Sequence, residues 1–247
     1  MRIIRKTFFT FFIISLSFII SCKSSDVEKT LTAEERFEIG LNEFNGENYL
    51  EAINEFSVVT LQYPGSSVSD DAQYYLGECR FKKEEYLLAA YEYEALKRNM
   101  PASPLVPKAM NKIALAYYNL APKSALDQSY TIKAIDEFQA FIEYFPTDSL
   151  VLDAEAKITE LRDRLAEKEY QTAVIYMKME YYKSATYYFN SVLENYHDSK
   201  FGEQAYFGKI ESLVKRKKIN EAVAEADKFF KKFPETSLRA GVEALIK

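Results

Sequence analysis

Four markers recur at one fixed interval near the start of the chain, and that interval constrains the fold more than any other feature. Gly40, Ala52, Phe56 and Pro64 each have a counterpart 37 residues later, at Gly77, Ala89, Tyr93 and Pro101. A shared period of this length is the mark of a solenoid of helix pairs, because a single pair cannot bury its apolar face alone and must stack on its neighbours. The third unit keeps the interval in its first helix, with Ala114 standing 37 residues after Gly77, but Ala134, Phe138 and Pro146 fall 45 residues after their counterparts. An insertion of eight residues therefore lies between the two helices of that unit, around Leu120 to Ser129, where Pro122 interrupts the helical pattern. The interval of 37 returns from Ala185 to Ala222 and from His197 to Pro234, so five units are visible.

Each marker has a physical reason. Small residues at Gly40, Gly77, Ala114 and Ala173 let the first helix of a pair approach its partner, and Ala52, Ala89, Ala134, Ala185 and Ala222 do the same from the second helix. The aromatic one turn later, Phe56, Tyr93, Phe138 or Phe189, fills the space between pairs; the last unit has Ala226 there, with Phe229 and Phe230 nearby to compensate. Pro64, Pro101, Pro146 and Pro234 stop the second helix. These positions resemble the tetratricopeptide (TPR) family, without its usual Trp. The pattern predicts helices over about 33–45, 48–62, 69–82, 85–98, 104–120, 129–144, 182–195, 200–215 and 219–232. Between Pro146 and Gly202 there is neither Gly nor Pro, which predicts one long helix from about Leu150 to Met179 joining units three and four. Leu238, Val242, Leu245 and Ile246 mark one face of a short terminal helix that caps the stack. The expected architecture is all-α: a TPR-like superhelical solenoid over 33–247, with repeats one to three over 33–147 and the long helix with repeats four and five over 148–247.

The N-terminus determines the compartment. Arg2, Arg5 and Lys6 precede an almost wholly apolar run from Thr7 to Ile20, followed by Ser21 and Cys22. Charge, apolar run and small residue in that order form a secretory leader over 1–21, and the run is too short to span a bilayer comfortably. Ile19-Ile20-Ser21-Cys22 resembles the bacterial lipobox, which implies acyl chains on Cys22 as the first mature residue and a membrane anchor there. Lys23 follows, where an Asp is the familiar inner-membrane retention signal, so the resemblance implies sorting to the outer membrane. Residues 22–32 read as a solvated tether. With Cys22 lipidated, Cys79 is the one thiol left and is expected to pack as a small buried hydrophobe.

Chemistry is sparse. The chain holds one His, no Gly-rich phosphate loop and no Cys or His cluster at metal-ligand spacing, so no catalytic residue, cofactor or metal is expected. His197 takes the place of a helix-ending Pro and reads as a turn residue. The acid pairs Glu34-Glu35, Asp70-Asp71 and Glu84-Glu85 lie near helix starts, where the macrodipole favours them, and the cluster Lys215, Arg216, Lys217 and Lys218 reads as a helix C-terminal turn. Loss of Arg2, Arg5 and Lys6 with the leader takes the formal charge from −5 to −8, which repels nucleic acid. Tyr74-Tyr75, Tyr117-Tyr118, Tyr181-Tyr182 and Tyr187-Tyr188 supply packing, and their outward members are the best candidates for partner contacts.

A narrower resemblance follows from Tyr63-Pro64-Gly65-Ser66 with Ala72, Phe145-Pro146-Thr147-Asp148-Ser149 with Ala154, and Arg162-Asp163-Arg164-Leu165-Ala166 running into Glu169-Tyr170. Together with the lipobox, the five repeats, the long helix and the insertion, these look like the BamD family of outer-membrane β-barrel assembly lipoproteins. The resemblance implies a non-enzymatic scaffold on the periplasmic face of the cell outer membrane, one copy within a hetero-complex. C-terminal repeats would bind the barrel subunit BamA, and N-terminal repeats would receive unfolded outer-membrane protein precursors. Cys22 is the one functional residue it carries over. A periplasmic TPR adaptor for peptidoglycan synthesis, secretion or nutrient uptake is the alternative reading.

Overall fold

A computed structural model describes residues 30–247, and among these all regular structure is helical. The helices are α1 (Ala33–Asn45), α2 (Tyr49–Gln62), α3 (Ser69–Lys82), α4 (Tyr86–Asn99), α5 (Val106–Leu120), α6 (Ser129–Tyr144), α7 (Val151–Lys178), α8 (Tyr182–Asn195), α9 (Gly202–Lys215), α10 (Ile219–Lys232) and α11 (Arg239–Ile246). Successive helices pack on one another, α1 with α2 through α9 with α10, and α11 closes the stack against α9 and α10. This is the TPR-like solenoid of five pairs, with the 28-residue α7 serving as the first helix of unit four.

Two kinds of turn alternate along the stack. In units one, two, four and five the first helix ends on a residue in the left-handed region: Glu47, Glu84, Glu180 and Lys217 all have φ of 60–62°. Each ends its helix with a pair of reaching-back hydrogen bonds, as in Glu84 N–H to Phe81 O at 3.0 Å and Glu85 N–H to Arg80 O at 2.9 Å. That conformation disfavours residues with a Cβ by roughly 1–2 kcal/mol, so the cap is kept for its geometry. Second helices end differently. Tyr63, Met100, Phe145 and Phe233 precede Pro and leave the helical region, with φ between −132° and −125°. Tyr196 adopts the same shape before His197, and Ser199 N–H closes the turn onto Tyr196 O at 3.0 Å, so the turn does not depend on the proline. A second turn follows at once, as in Val106 N–H to Ser103 O and Gly202 N–H to Ser199 O. This double turn is why α5 and α9 begin two residues later than their periodicity suggests.

The repeat is held by one recurring contact. A Cβ added at Gly40 would lie 2.7 Å from the Phe56 ring, and one at Gly77 2.4 Å from Tyr93. In units one and two the aromatic ring of the second helix therefore rests directly on the backbone of the first. Phe189 is pressed from the following unit as well, since a Cβ at Gly208 would come within 2.3 Å of it. Unit five exchanges the two sizes: the first-helix position is Ile210 and the second-helix position is Ala226, both buried in one core cluster. Phe229 is fully buried in the same cluster, with Phe230 packed against it, so both join Ile210 in filling the space.

The core falls into four clusters whose limits do not follow the units. One cluster joins α1, α2 and α3; a second joins α4, α5, α6 and the start of α7; a third joins the end of α7 with α8 and the start of α9; a fourth joins α9, α10 and α11. Within α7, Ala154 and Leu161 belong to the second cluster and Ala166 and Ala173 to the third. Cys79 is buried and free, and burial together with the Glu78 charge pushes its thiol up to about 12, so it packs as an inert apolar group.

The exchange in unit five yields a test by urea unfolding. Ala226→Phe alone should overpack against Ile210, and Ile210→Gly alone should leave a void, each destabilising by about 1–3 kcal/mol. The double variant restores the arrangement of units one and two, and its loss should be clearly smaller than the sum.

Candidate protein-binding surfaces

The central motif Arg162-Asp163-Arg164 lies in the middle of α7 and ties together the loops on its two sides. Arg164 Nη1 donates to Ala121 O at 2.8 Å and Pro122 O at 3.2 Å, and Lys168 Nζ donates to Leu126 O at 2.6 Å. The eight-residue insertion is thereby fastened to the long helix. Gln128 is buried beneath the same loop and donates to Lys123 O at 2.9 Å and Leu126 O at 3.1 Å. Toward the other side, Arg162 Nη2 donates to Asn195 O at 2.9 Å, and Asp163 Oδ1 accepts from Lys200 N–H at 3.1 Å. An ordered insertion leaves Leu126 more than half exposed at its tip.

The junction of units two and three holds a buried polar cluster. Glu78, 9% exposed, accepts from Tyr93 Oη at 2.7 Å and pairs with Lys112 at 2.8 Å, joining α3 to α4 and α5. Burial and the Glu78 charge push the phenols of Tyr93 and Tyr74 well above the ordinary range, so both remain donors at all physiological pH. Beside Lys112 stands Asn111, at the position where the other units carry Phe37, Tyr74, Tyr170 and Phe207. Asn111 is 4% exposed and its Oδ1 has no hydrogen-bond partner in the structure. A buried amide oxygen without a donor costs about 1–3 kcal/mol, so this junction carries an acceptor that the fold itself does not satisfy.

Other sequence-predicted residues separate into packing and surface. Tyr75 stacks on Phe56 with ring centres 5.5 Å apart, and Tyr188 on Tyr176 at 5.3 Å. Tyr117 is buried, whereas Tyr181 and Tyr187 face outward. His197 is an exposed turn residue whose carbonyl accepts from Lys232 Nζ at 3.0 Å. The acids at helix starts do more than answer the macrodipole. Glu34 accepts from Ser67 Oγ at 2.9 Å, Asp70 from Ser103 Oγ at 2.6 Å, and Glu203 from Thr236 Oγ1. Each hydroxyl stands 33 residues after its acid, so in units one, two and five the turn that leaves the second helix is stitched to the start of the first. That spacing was the available signal, and the sequence reading did not use it. Cys22 lies outside the described residues. Among the described residues no group of His, Cys, Asp and Glu could hold a metal ion, and no helix is long and apolar enough to cross a membrane.

In unit five, Lys209 reaches from α9 to Glu225 on α10 at 3.1 Å and to Asn190 on α8 at 2.8 Å. Burial pushes the Glu225 carboxyl up, but hydrogen bonds from Lys228 and Lys209 outweigh it and hold the group below its ordinary range.

Solenoid architecture, buried polar stitching and outward aromatic and apolar side chains define a helical-repeat scaffold of the kind that binds other proteins. Comparison with known proteins narrows this: the model of the family YfiO, described as outer membrane lipoprotein, matches residues 29–212. The chain belongs to that family. It is 28% identical over 166 residues to the outer membrane protein assembly factor BamD of Rickettsia prowazekii, covering 67% of this chain and 66% of that one. To the factor of the same name from Caulobacter vibrioides it is 23% identical over 201 residues, covering 79% and 66%. This chain thus spans about two thirds of the length of those two relatives. The corresponding Pasteurella multocida factor aligns over 97% of both chains at 22% identity. Among solved structures, the TPR domain of P58(IPK) covers 87% of this chain and is itself covered to 55%, at 15% identity and a TM-score of 0.45; the fold assignment rests on the repeat itself.

Two outcomes are expected from this geometry. Arg164→Ala should lower stability by about 1–2 kcal/mol and speed hydrogen exchange in the insertion, at the Leu126 amide above all, by about tenfold. Because the Glu225 carboxyl is held low in the folded state, its contribution is intact above its ordinary value of 4.5 and is lost as pH falls below it. Unfolding of a Glu225→Gln variant, followed from pH 7 to pH 3, should start from lower stability and fall less steeply than the parent.

Proposed function

We propose that this chain is a lipid-anchored scaffold of the β-barrel assembly machinery on the periplasmic face of the outer membrane. In this reading the leader over 1–21 is removed, Cys22 carries the acyl chains, and residues 22–32 form the tether that precedes the repeats. The last two units hold the barrel subunit BamA, and the first helices of units one to three receive segments of outer-membrane protein precursors. The protein acts as one copy in a hetero-complex and binds without catalysing a reaction. The observation that carries the reading is the family match over residues 29–212, which runs from the end of the tether through units one to four and into α9. The relatives that share this span are assembly factors by name.

Affinity capture from gently solubilised envelopes tests the reading, with Cys22→Ala as the anchoring control. Recovery of BamA is the expected result. Removal of units four and five should abolish that recovery, and recovery of cell-wall or uptake proteins without BamA would replace the function while leaving the fold. Asn111→Leu should raise stability by about 1 kcal/mol in urea unfolding, because it removes a buried amide oxygen that has no donor.

A further inference from the structure

The left-handed residue that ends the first helix is Glu in units one, two and four, at Glu47, Glu84 and Glu180, and Lys in unit five, at Lys217. The helix macrodipole has the same sign in every unit, so it does not account for this difference. Lys217 is flanked by Lys215, Arg216 and Lys218. The turn that carries them is seated against unit four, because Arg216 Nη1 donates to Thr186 Oγ1 at 3.1 Å and Thr186 shares a hydrogen bond of 2.8 Å with Ser212. The turns of units four and five therefore form one surface. On unit four it exposes Met179 and Tyr181, each by more than half, and on unit five Ile219. Residues 178–183 and 215–221 hold six basic side chains and two acids, on a chain whose formal charge is −5. Lys218 is engaged by Glu221 at 2.6 Å; Lys178, Lys183, Lys215 and Lys217 make no ion pair among the described residues.

We propose that this surface docks on an anionic phospholipid bilayer, with Met179, Tyr181 and Ile219 entering the headgroup layer and Lys178, Lys183, Lys215 and Lys217 facing the lipid phosphates. Charge complementarity selects the occupant, and the form of the surface selects lipid over protein. The energetic centres of protein interfaces are packed, desolvated anchors in shaped pockets. Here long flexible cations and single apolar side chains stand on turns at the rim of the solenoid. A fluid headgroup layer accepts such a set without matching its shape, and both Lys stems and Tyr rings are amphipathic in the way that interface demands. The inference rests on the reading that Cys22 anchors the chain to a membrane.

The test is co-sedimentation of the mature chain carrying Cys22→Ala, so that no acyl chain contributes, with vesicles of phosphatidylcholine alone and of phosphatidylcholine with phosphatidylglycerol. Binding is expected for the anionic vesicles alone and should weaken with salt. It should weaken at least ~10-fold in the Lys215→Glu, Lys217→Glu variant and ~5-fold in Met179→Ser, Tyr181→Ser, with helical circular dichroism unchanged in both. Absence of binding, equal binding to both vesicles, or binding unaffected by either variant overturns the proposal. If the variants lose BamA capture and the parent does not bind vesicles, the surface is a protein interface and the lipid assignment is wrong. Vesicle binding that persists in a chain capturing no BamA would keep the membrane surface and discard the assembly-machinery reading.

Discussion

The rest of this molecule depends on an aromatic ring packed directly against a helix backbone. Where Gly40 and Gly77 remove the Cβ, Phe56 and Tyr93 close the gap between the two helices of a pair, and the pairs then present matching surfaces to each other. The contact is a constraint on summed volume rather than on residue identity, which is why unit five can invert it with Ile210 and Ala226. A stack built on such contacts has little freedom to vary its inter-helix distance. It has considerable freedom elsewhere, and the surface chemistry of successive units accordingly diverges from acidic and polar to basic and aromatic while the interior stays constant.

Much of this was legible in the sequence, and the reason is the period. A residue that must be small, aromatic or proline for packing reasons recurs at a fixed distance, so Gly40, Ala52, Phe56 and Pro64 announced both the helices and their pairing. The long helix was legible from the lack of any breaker between Pro146 and Gly202. What escaped were interactions between different helices and turns. The hydroxyl-to-acid stitches, the hold of Arg164 and Lys168 on the insertion, and the contact of Gly208 with Phe189 join positions whose proximity is known only once the helices are packed. The positive-φ turns escaped for a different reason: Glu and Lys occupy them, and neither announces a left-handed backbone as Gly or Asn does.

Surface function was less legible still. The tyrosine pairs were recognised as a mixture of packing and contact, but only the stack separates Tyr75 and Tyr188, which lie stacked on other rings, from Tyr181 and Tyr187, which are more than half exposed. The basic run at 215–218 reads by itself as an ordinary helix end. Its meaning changes once it is laid beside the turn of unit four, which adds Lys178 and Lys183, and once the left-handed position is seen to be Glu in units one, two and four and Lys here.

The long helix α7 has a consequence for how the molecule comes apart. At 28 residues it is about 42 Å long, and Leu161 and Ala166 assign its two halves to different cores although they are separated by barely more than one turn. Repeat arrays ordinarily fray from their ends, unit by unit, because each interface is local. Here fraying that proceeds inward from either end reaches a helix whose far half is still clamped in an intact core, so the middle of the molecule acts as a stop against unzipping and should be the last part to release its amide protons.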